Sequence, residues 1–209
     1  MYQIERDWKK AIIAANELES LQGKSHHTEI AQFHCELAQE ALRRKDLVEA
    51  EQAIQRALEA VPNHARALIL QGDYLIAMER PTQAIEAWSA IAHSHPAYMH
   101  LLADRWMLAH AAISKEDEGL DRLCELLKTQ ANGELLDVVH KHLMKIRGPQ
   151  AANAMLSDVM QYSPTLIALS KMAETRLALE EGNASPERLL ELQSILNLLR
   201  QRTTSLARY

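Results

Sequence analysis

Aromatic residues are scarce in this chain, which has one Phe, three Trp and five Tyr among its 209 residues. Ala, Leu, Gln and Glu dominate instead, and this balance favours helices over strands. A basic surplus is also absent, because the formal net charge is −5. Phosphate binding needs concentrated Lys and Arg, so nucleic acid is excluded as the main partner. The 47% of hydrophobic residues nevertheless supply enough apolar material for a folded core.

Cysteine pairs and long apolar runs are missing as well. Cys35 and Cys124 are the only cysteines, and neither belongs to a CxxC pair that could hold a metal or shuttle electrons. We therefore expect reduced thiols in a cytoplasmic protein, with no metal and no cofactor in this chain. No run approaches the ~20 apolar residues of a membrane helix, so we expect no membrane insertion by this chain. The opening MYQIERDWKK is charged by its fifth residue and is not expected to be a signal peptide.

An internal repeat is the strongest feature that is present. Counted from Ala50, apolar or small residues and a closing Pro stand at offsets 0, 4, 7 and 12, and this set recurs twice further along the chain. The three copies are Ala50, Ile54, Ala57, Pro62; Ala84, Trp88, Ile91, Pro96; and Ala152, Leu156, Val159, Pro164. Offsets 0, 4 and 7 share one helical face, which indicates a helix packed against its neighbours.

The spacing of the copies is typical of tetratricopeptide repeats, in which two helices form each unit of about 34 residues. The second copy follows the first by one such period, and the third follows after two more. Gly72 stands in the small-residue slot of a first helix, where close helix approach offsets the cost of about 1 kcal/mol that Gly imposes relative to Ala. We predict an all-α fold, a tetratricopeptide-repeat α-solenoid in which helix pairs wind into a right-handed superhelix. Trp88, Ala84 and Gly72 are interpreted as core residues.

Residues 1–209 are predicted to form a single array. It would comprise a partial unit over 1–28, repeats at about 31–64, 65–98, 99–132 and 133–166, and an irregular helix pair over 165–206. The unit 99–132 is degenerate, because Glu118 and Gln130 replace the Ala and the Pro. Turn and stop residues predict helices at about 6–22, 29–44, 47–60, 65–78, 81–94, 97–113, 117–130, 133–146, 149–162, 165–181 and 187–205. Ser185-Pro186-Glu187 is a helix-start signal.

No arrangement for catalysis or metal binding emerges. The chain has no GxSxG turn, no glycine-rich phosphate loop and no HExxH motif, which favours a non-enzyme. Two histidine pairs, His93 with His95 and His140 with His142, are two residues apart. Such residues point to opposite faces of a helix, so both pairs are interpreted as surface or loop histidines.

Partner binding is expected on the inner faces of the first helices, which line the concave groove of such arrays. We take the second, fifth and ninth positions of the units that begin at residues 31, 65, 99 and 133. The candidate residues are Gln32, Cys35, Gln39, Arg66, Ile69, Asp73, His100, Met107, Glu134, Asp137 and Lys141. A plain solvated inner face is the alternative, since arrays also bind through edges and convex sides.

Three local segments go beyond a generic repeat. The run EIAQFHCELAQEAL at 29–42, RDWKKAI at 6–12 and the closing LARY at 206–209 resemble the lipopolysaccharide assembly protein B family of Gram-negative bacteria. The resemblance covers essentially the whole chain. It implies a cytoplasmic adaptor whose full-length form is anchored to the cytoplasmic face of the inner membrane by an N-terminal helix. It also implies a rubredoxin-like metal domain with CxxC pairs beyond Tyr209.

Members of that family are implied to bring the lipid A pathway deacetylase to a membrane-bound AAA protease and so to limit lipopolysaccharide synthesis. The resemblance therefore implies a non-catalytic adaptor with these two proteins as partners. Two alternatives stay open on the residues alone. The chain could be a self-associating scaffold that forms a homo-oligomer, or a peptide-binding accessory domain of an unrelated repeat protein.

Overall fold

A computed structural model describes residues 7–129, 132–162, 165–181 and 184–206. These ranges contain eleven α-helices and one 3-10 helix, and no strand. The α-helices are α1 Trp8–Gln22, α2 His27–Arg44, α3 Leu47–Ala60, α4 Ala65–Ala77, α5 Pro81–Ser94, α6 Ala103–Ala112, α7 Glu116–Thr129, α8 Gly133–Ile146, α9 Gly148–Tyr162, α10 Leu166–Glu180 and α11 Pro186–Leu206. The predicted all-α class is confirmed. Gln130, Pro164 and most of the LARY segment lie outside the described residues.

The helices pack in pairs, as the repeat predicts. The chain divides into two compact units, one formed by residues 1–98 with 109–114 and the other by residues 99–108 with 115–209. In the first unit α1 packs on α2, α2 on α3, α3 on α4 and α4 on α5, and α2 also contacts α4. In the second unit α7, α8, α9, α10 and α11 pack successively, and α8 also contacts α10. The extent of a single array over 1–209 stays a prediction.

The repeat positions that share a helical face form the core of these pairs. In the first unit Ala50, Ala57, Ala84, Trp88 and Ile91 have no exposed surface, and Ile54 is 3% exposed. The third copy is also buried in the second unit, at Ala152, Leu156 and Val159. Small residues at offset 0 let a neighbouring helix approach, and the larger residues fill the space beside it.

Gly72 and Trp88 pack tightly against each other in the first unit. A methyl group on the Gly72 Cα would overlap the indole of Trp88. The indole Nε1–H of Trp88 donates to the carbonyl of Ile69 across 3.2 Å. Gly72 therefore admits a full Trp side chain between α4 and α5, and the interpretation of both residues as core is confirmed.

Helix starts follow the capping chemistry of the sequence. The carboxylate of Asp46 accepts from the Glu49 N–H at 3.0 Å before α3, and Asn132 Oδ1 accepts from the Leu135 N–H at 3.0 Å before α8. Ser185 Oγ accepts from the Arg188 N–H at 3.3 Å ahead of α11, as its start signal predicts. These side chains satisfy N–H groups that have no partner within their own helix.

The prediction of a single helix over 97–113 is wrong for its first turns. Pro96–Leu101 is a 3-10 helix, and the α-helix begins only at Ala103. Met99 and Leu102 are both completely buried, and the Leu102 N–H donates to the Met99 carbonyl at 3.2 Å. Residues three apart lie on one side of a 3-10 helix, so this winding buries both side chains where an α-helix would separate them by about 60°.

The degenerate unit carries a large residue where the preceding unit has a small one. Trp106 lies one repeat period after Gly72 and is 2% exposed. Its Nε1–H donates to the backbone carbonyl of Gly119 on α7 at 3.1 Å, and Gly119 is buried. The indole therefore stays in the core with a satisfied hydrogen bond although the unit lacks the repeat residues.

Candidate protein-binding surface

Arg66 connects the polar faces of α2 and α4 in the first unit. Its Nη1 lies 2.6 Å from Glu36 Oε1, and its Nη2 donates to Gln39 Oε1 at 2.5 Å. Gln32 Nε2 donates to the same Glu36 carboxylate at 3.4 Å. Gln32 and Arg66, from two helices, therefore meet at the Glu36 carboxylate, and Gln39 accepts from the same Arg66 guanidinium. Asp73 lies on α4 seven residues, or about two turns, beyond Arg66 and on the same side of that helix.

His100 and Glu134 form a second contact between candidate residues, in the second unit. His100 Nε2 lies 3.1 Å from Glu134 Oε2. The Asn132 amide nitrogen lies 3.3 Å from His100 Nδ1, while Asn132 Oδ1 already accepts from the Leu135 N–H. The amide nitrogen must therefore donate to Nδ1. The proton of neutral His100 then sits on Nε2, where it is donated to the carboxylate.

Three further contacts join the candidates Lys141 and Asp137, and also His142, to charged residues that the positional search did not include. Lys141 Nζ lies 3.4 Å and His142 Nε2 lies 3.0 Å from Asp104 Oδ1. The hydrogen bond from His142, followed by the charge of Lys141, holds the pKa of Asp104 below its usual range. Asp137 on α8 pairs with Lys171 on α10.

These contacts repeat at about the period of the sequence. Glu134 follows His100 by one repeat period, and Lys171 follows Asp137 by the same interval. Apart from the Gln32–Glu36 bond within α2, the contacts join α2 to α4, the 3-10 helix or α6 to α8, and α8 to α10. Together we call their members the polar ladder: Gln32, Glu36, Gln39, Arg66, His100, Asp104, Glu134, Asp137, Lys141, His142 and Lys171. Asp104, Glu134, Asp137 and Lys141 are more than half exposed, whereas Glu36, Arg66 and Lys171 are at most one third exposed. Ion pairs with an exposed partner contribute about 1 kcal/mol or less, so a partner protein can replace the contacts of Asp104, Glu134 and Asp137 at little cost.

Three candidate residues lie in the core. Cys35 is completely buried, Met107 is 2% exposed and Ile69 is 8% exposed. Cys35 Sγ lies 3.7 Å from His64 Nδ1, and burial raises the pKa of the Cys35 thiol to about 12. The fifth position of the first helix faces the neighbouring helix in the units that begin at 31 and 65, so these side chains pack and do not present a surface.

Sequence reasoning missed four members of the polar ladder, which are Glu36, Asp104, His142 and Lys171. A signal for two of them existed. Glu36 and Asp104 both stand at the sixth position of their units, two repeat periods apart. The search considered only positions 2, 5 and 9, and the sixth position lies about one turn after the second and one turn before the ninth, on the same side of the helix.

His140 corrects the interpretation of its pair as surface histidines. It is 3% exposed, whereas His142 reaches Asp104 at the surface. The Thr175 hydroxyl donates to the Lys171 carbonyl at 2.8 Å, so it accepts from His140 Nε2–H at 2.7 Å. Burial lowers the pKa of His140. His140 is thus a neutral core residue with a satisfied hydrogen bond.

Metal-binding clusters and membrane-spanning helices were sought over the described ranges. There, no three His, Cys, Asp or Glu side chains come together in a way that could hold a metal ion. None of the helices in the same ranges combines the length and apolar character that crossing a bilayer requires. In each unit the residues of the polar ladder form partly exposed polar contacts, which suit the recognition of another macromolecule.

Comparison with known proteins gives homologues of one kind. The chain is 24% identical over 200 residues, 94% of its length, to lipopolysaccharide assembly protein B of Escherichia coli strain K12. It is also 24% identical over 201 residues to the protein of the same name from Haemophilus influenzae. The chain spans about half the length of these relatives. No protein-family model matches it. The resemblance to this group of proteins is confirmed.

Proposed function

We propose that this chain is a non-catalytic protein-interaction adaptor that regulates lipopolysaccharide assembly. The homologues carry the name of an assembly protein, which accords with a regulatory or adaptor role. The observation that supports the mode of action is the polar ladder, a set of partly exposed polar contacts that recurs at about the repeat period. Such contacts can be exchanged for contacts to a partner protein.

The finer architecture belongs to the same proposal. The helix pairs are tetratricopeptide repeats that stack as a right-handed α-solenoid, and partners lie along the first helices. Buried offset residues and the contact of α2 with α4 and of α8 with α10 support this arrangement. Stacked repeats expose their first helices side by side, which creates an extended binding surface.

The partners are proposed from the family resemblance. They are the lipid A pathway deacetylase and a membrane-bound AAA protease, which the adaptor brings together so that lipopolysaccharide synthesis is limited. The chain acts in the cytoplasm, and its full-length form is anchored to the inner membrane. It needs no cofactor for this role and does not bind nucleic acid.

The test compares partner capture by the wild-type chain and by the double variant Arg66→Ala, Asp73→Ala. The deacetylase of the same organism is immobilised, and association is followed by biolayer interferometry. We expect the double variant to weaken binding about tenfold or more, because Arg66 lies at the centre of the ladder in the first unit. Far-ultraviolet circular dichroism should show an unchanged melting curve.

The matched control is Arg122→Ala with Asp158→Ala, which removes the same two residue types from exposed positions on α7 and α9. It should bind like the wild type. Equal affinity of the two double variants would reject the first-unit ladder as the binding surface. Failure of the wild-type chain to bind either proposed partner would reject the adaptor function.

Self-association is a second candidate function, favoured by exposed apolar residues on the last helix. Leu190 is 68%, Leu198 is 61% and Ile195 is 41% exposed. Such residues on one helix can pair with another copy of the chain. Sedimentation velocity over a hundredfold range of protein concentration separates the two functions. A mass that rises with protein concentration supports the self-associating scaffold, whereas a monomer at all concentrations rejects this second function.

A further inference from the structure

A cleft of about 350 Å³ opens between α1, α2 and α3 in the first unit. Ile12, Ile13 and Leu37 give it apolar walls, and His34 and Arg56 contribute polar groups. Ile13 is 58% exposed although it borders this cleft. An apolar depression of this size accommodates one or two side chains of a ligand.

His34 gives the cleft an unsatisfied polar group. The residue is 9% exposed, and its buried Nδ1 has no hydrogen-bond partner. Neither ring nitrogen of His34 bonds to another described residue. Leaving a buried polar atom without a partner is unfavourable, because the atom has lost its hydrogen bonds to water. A polar group that enters the cleft can supply the partner, directly or after the imidazole rotates about its Cβ–Cγ bond.

The rim of the cleft has a positive excess. Glu49 pairs with both Lys9 and Arg44, at 3.0 Å and 2.6 Å. Arg56 forms no ion pair with any described residue, although Glu59 lies one turn further along α3. Among the residues that line the cleft, two cations, Lys9 and Arg56, stand against one carboxylate, Glu49, which leaves one net positive charge. The cleft is therefore complementary to an occupant that carries a carboxylate.

This cleft lies on a different side of α2 from the polar ladder. His34 precedes Glu36 by two residues, which corresponds to a rotation of about 200° around the helix. A ligand in the cleft thus leaves the Glu36 and Arg66 contact free. An adaptor that holds two proteins at once needs two such separate surfaces.

We propose that the cleft binds a peptide segment of a protein partner in which an apolar side chain is followed closely by a carboxylate. The apolar side chain packs against Ile12 and Leu37, the carboxylate pairs with Arg56, and a polar group of the segment bonds to His34. This inference rests on the proposed adaptor function, because it supplies the second partner surface.

The test uses two fluorescein-labelled, amidated ten-residue peptides, one built from Leu, Ser and Glu and the other with Lys at every Glu position. Binding to the full chain is followed by fluorescence anisotropy, and ¹⁵N-histidine NMR reports the His34 ring. We expect the Glu peptide to bind at least about tenfold more tightly than the Lys peptide and to shift the His34 resonance.

Two variants locate the site. Arg56→Glu should weaken the Glu peptide about tenfold and favour the Lys peptide, whereas Ile13→Ser should weaken both. Ile13 is exposed, so its substitution keeps the test valid even where Arg56→Glu perturbs folding. Arg122→Glu, at an exposed position on α7, is the control and should leave binding unchanged.

Equal binding of the two peptides, no binding of either, or no effect of Arg56→Glu and Ile13→Ser would overturn the proposal. Binding only to vesicles of phosphatidylglycerol would overturn it in favour of an anionic membrane surface. The double variant Arg66→Ala, Asp73→Ala should retain the peptide. If this double variant loses deacetylase capture but still binds the peptide, the cleft and the polar ladder act separately. The two proposals can then fail independently of each other.

Discussion

Trp106 donates its indole N–H to the backbone carbonyl of Gly119 across 3.1 Å, which joins α6 to α7. In the first unit the indole of Trp88 also donates to a backbone carbonyl, that of Ile69, and it packs against Gly72. Both buried indoles therefore satisfy their N–H groups on the backbone of a neighbouring helix, although the degenerate unit that contains Trp106 lacks the repeat residues.

Gly72→Ala should destabilise the first unit by about 1–3 kcal/mol, because the added methyl overlaps the Trp88 indole. The higher helix propensity of Ala offsets up to about 1 kcal/mol of the cost of this overlap, and the net value given includes this gain. Urea unfolding measures the change. In a double-mutant cycle with Trp88→Leu the second substitution should relieve part of the cost, and simple additivity would show that the two residues do not share one packing site.

Stability should fall as the pH drops below about 6.5, the ordinary histidine value. Burial lowers the pKa of His34, His64 and His140, so folding favours their neutral forms. This contribution is fully present above the unfolded pKa and is lost as the pH falls from there through the folded values. Urea unfolding at several pH values between 8 and 5 measures it.

His64→Asn separates the capping role of His64 from its titration. His64 Nδ1 accepts from the Ala67 N–H at 3.4 Å, and protonation would remove that acceptor. Asn also caps helices well and does not titrate. The variant should match the wild type near pH 8 and be more resistant to acid. An identical pH dependence in both proteins would remove His64 from the explanation.

Both thiols should react slowly with dithionitrobenzoate in the folded chain. Burial raises the pKa of Cys35 to about 12 and that of Cys124 to about 11, and only the thiolate is nucleophilic. Cys124 is partly exposed and should react first, whereas urea should make both react quickly. In the Cys124→Ser variant only Cys35 can react. If Cys35 reacted as fast in the folded variant as it does in urea, the burial of its thiol would be contradicted.

Arg147→Lys should cost no more than about 1 kcal/mol, and the loss should shrink at high salt. The guanidinium bridges Asp117 and Asp121, both at 2.7 Å, and a Lys cannot contact two carboxylates in this forked way. The carboxylates are 72% and 64% exposed, which limits the gain from the pair. Urea unfolding at low and high NaCl measures it, with Arg122→Lys as control. A salt-independent loss would indicate a packing role.

The sequence by itself determined the helical class, the pairing of the helices and the core positions of the repeat. The reason is local: residues such as Ala50, Ile54 and Ala57 share a face whatever lies beside them, and Ser185 or Asp46 caps a helix through its own backbone neighbours.

Only the tertiary structure decided the 3-10 turn at Pro96–Leu101, the burial of Cys35 and Met107, and the contacts of the polar ladder. Each depends on which helix lies opposite. Which neighbour covers a given side of a helix depends on residues that are distant in the chain. Arg66 pairs with Glu36, and Trp88 packs against Gly72. A periodic pattern identifies the apolar face but not the neighbour that will cover it.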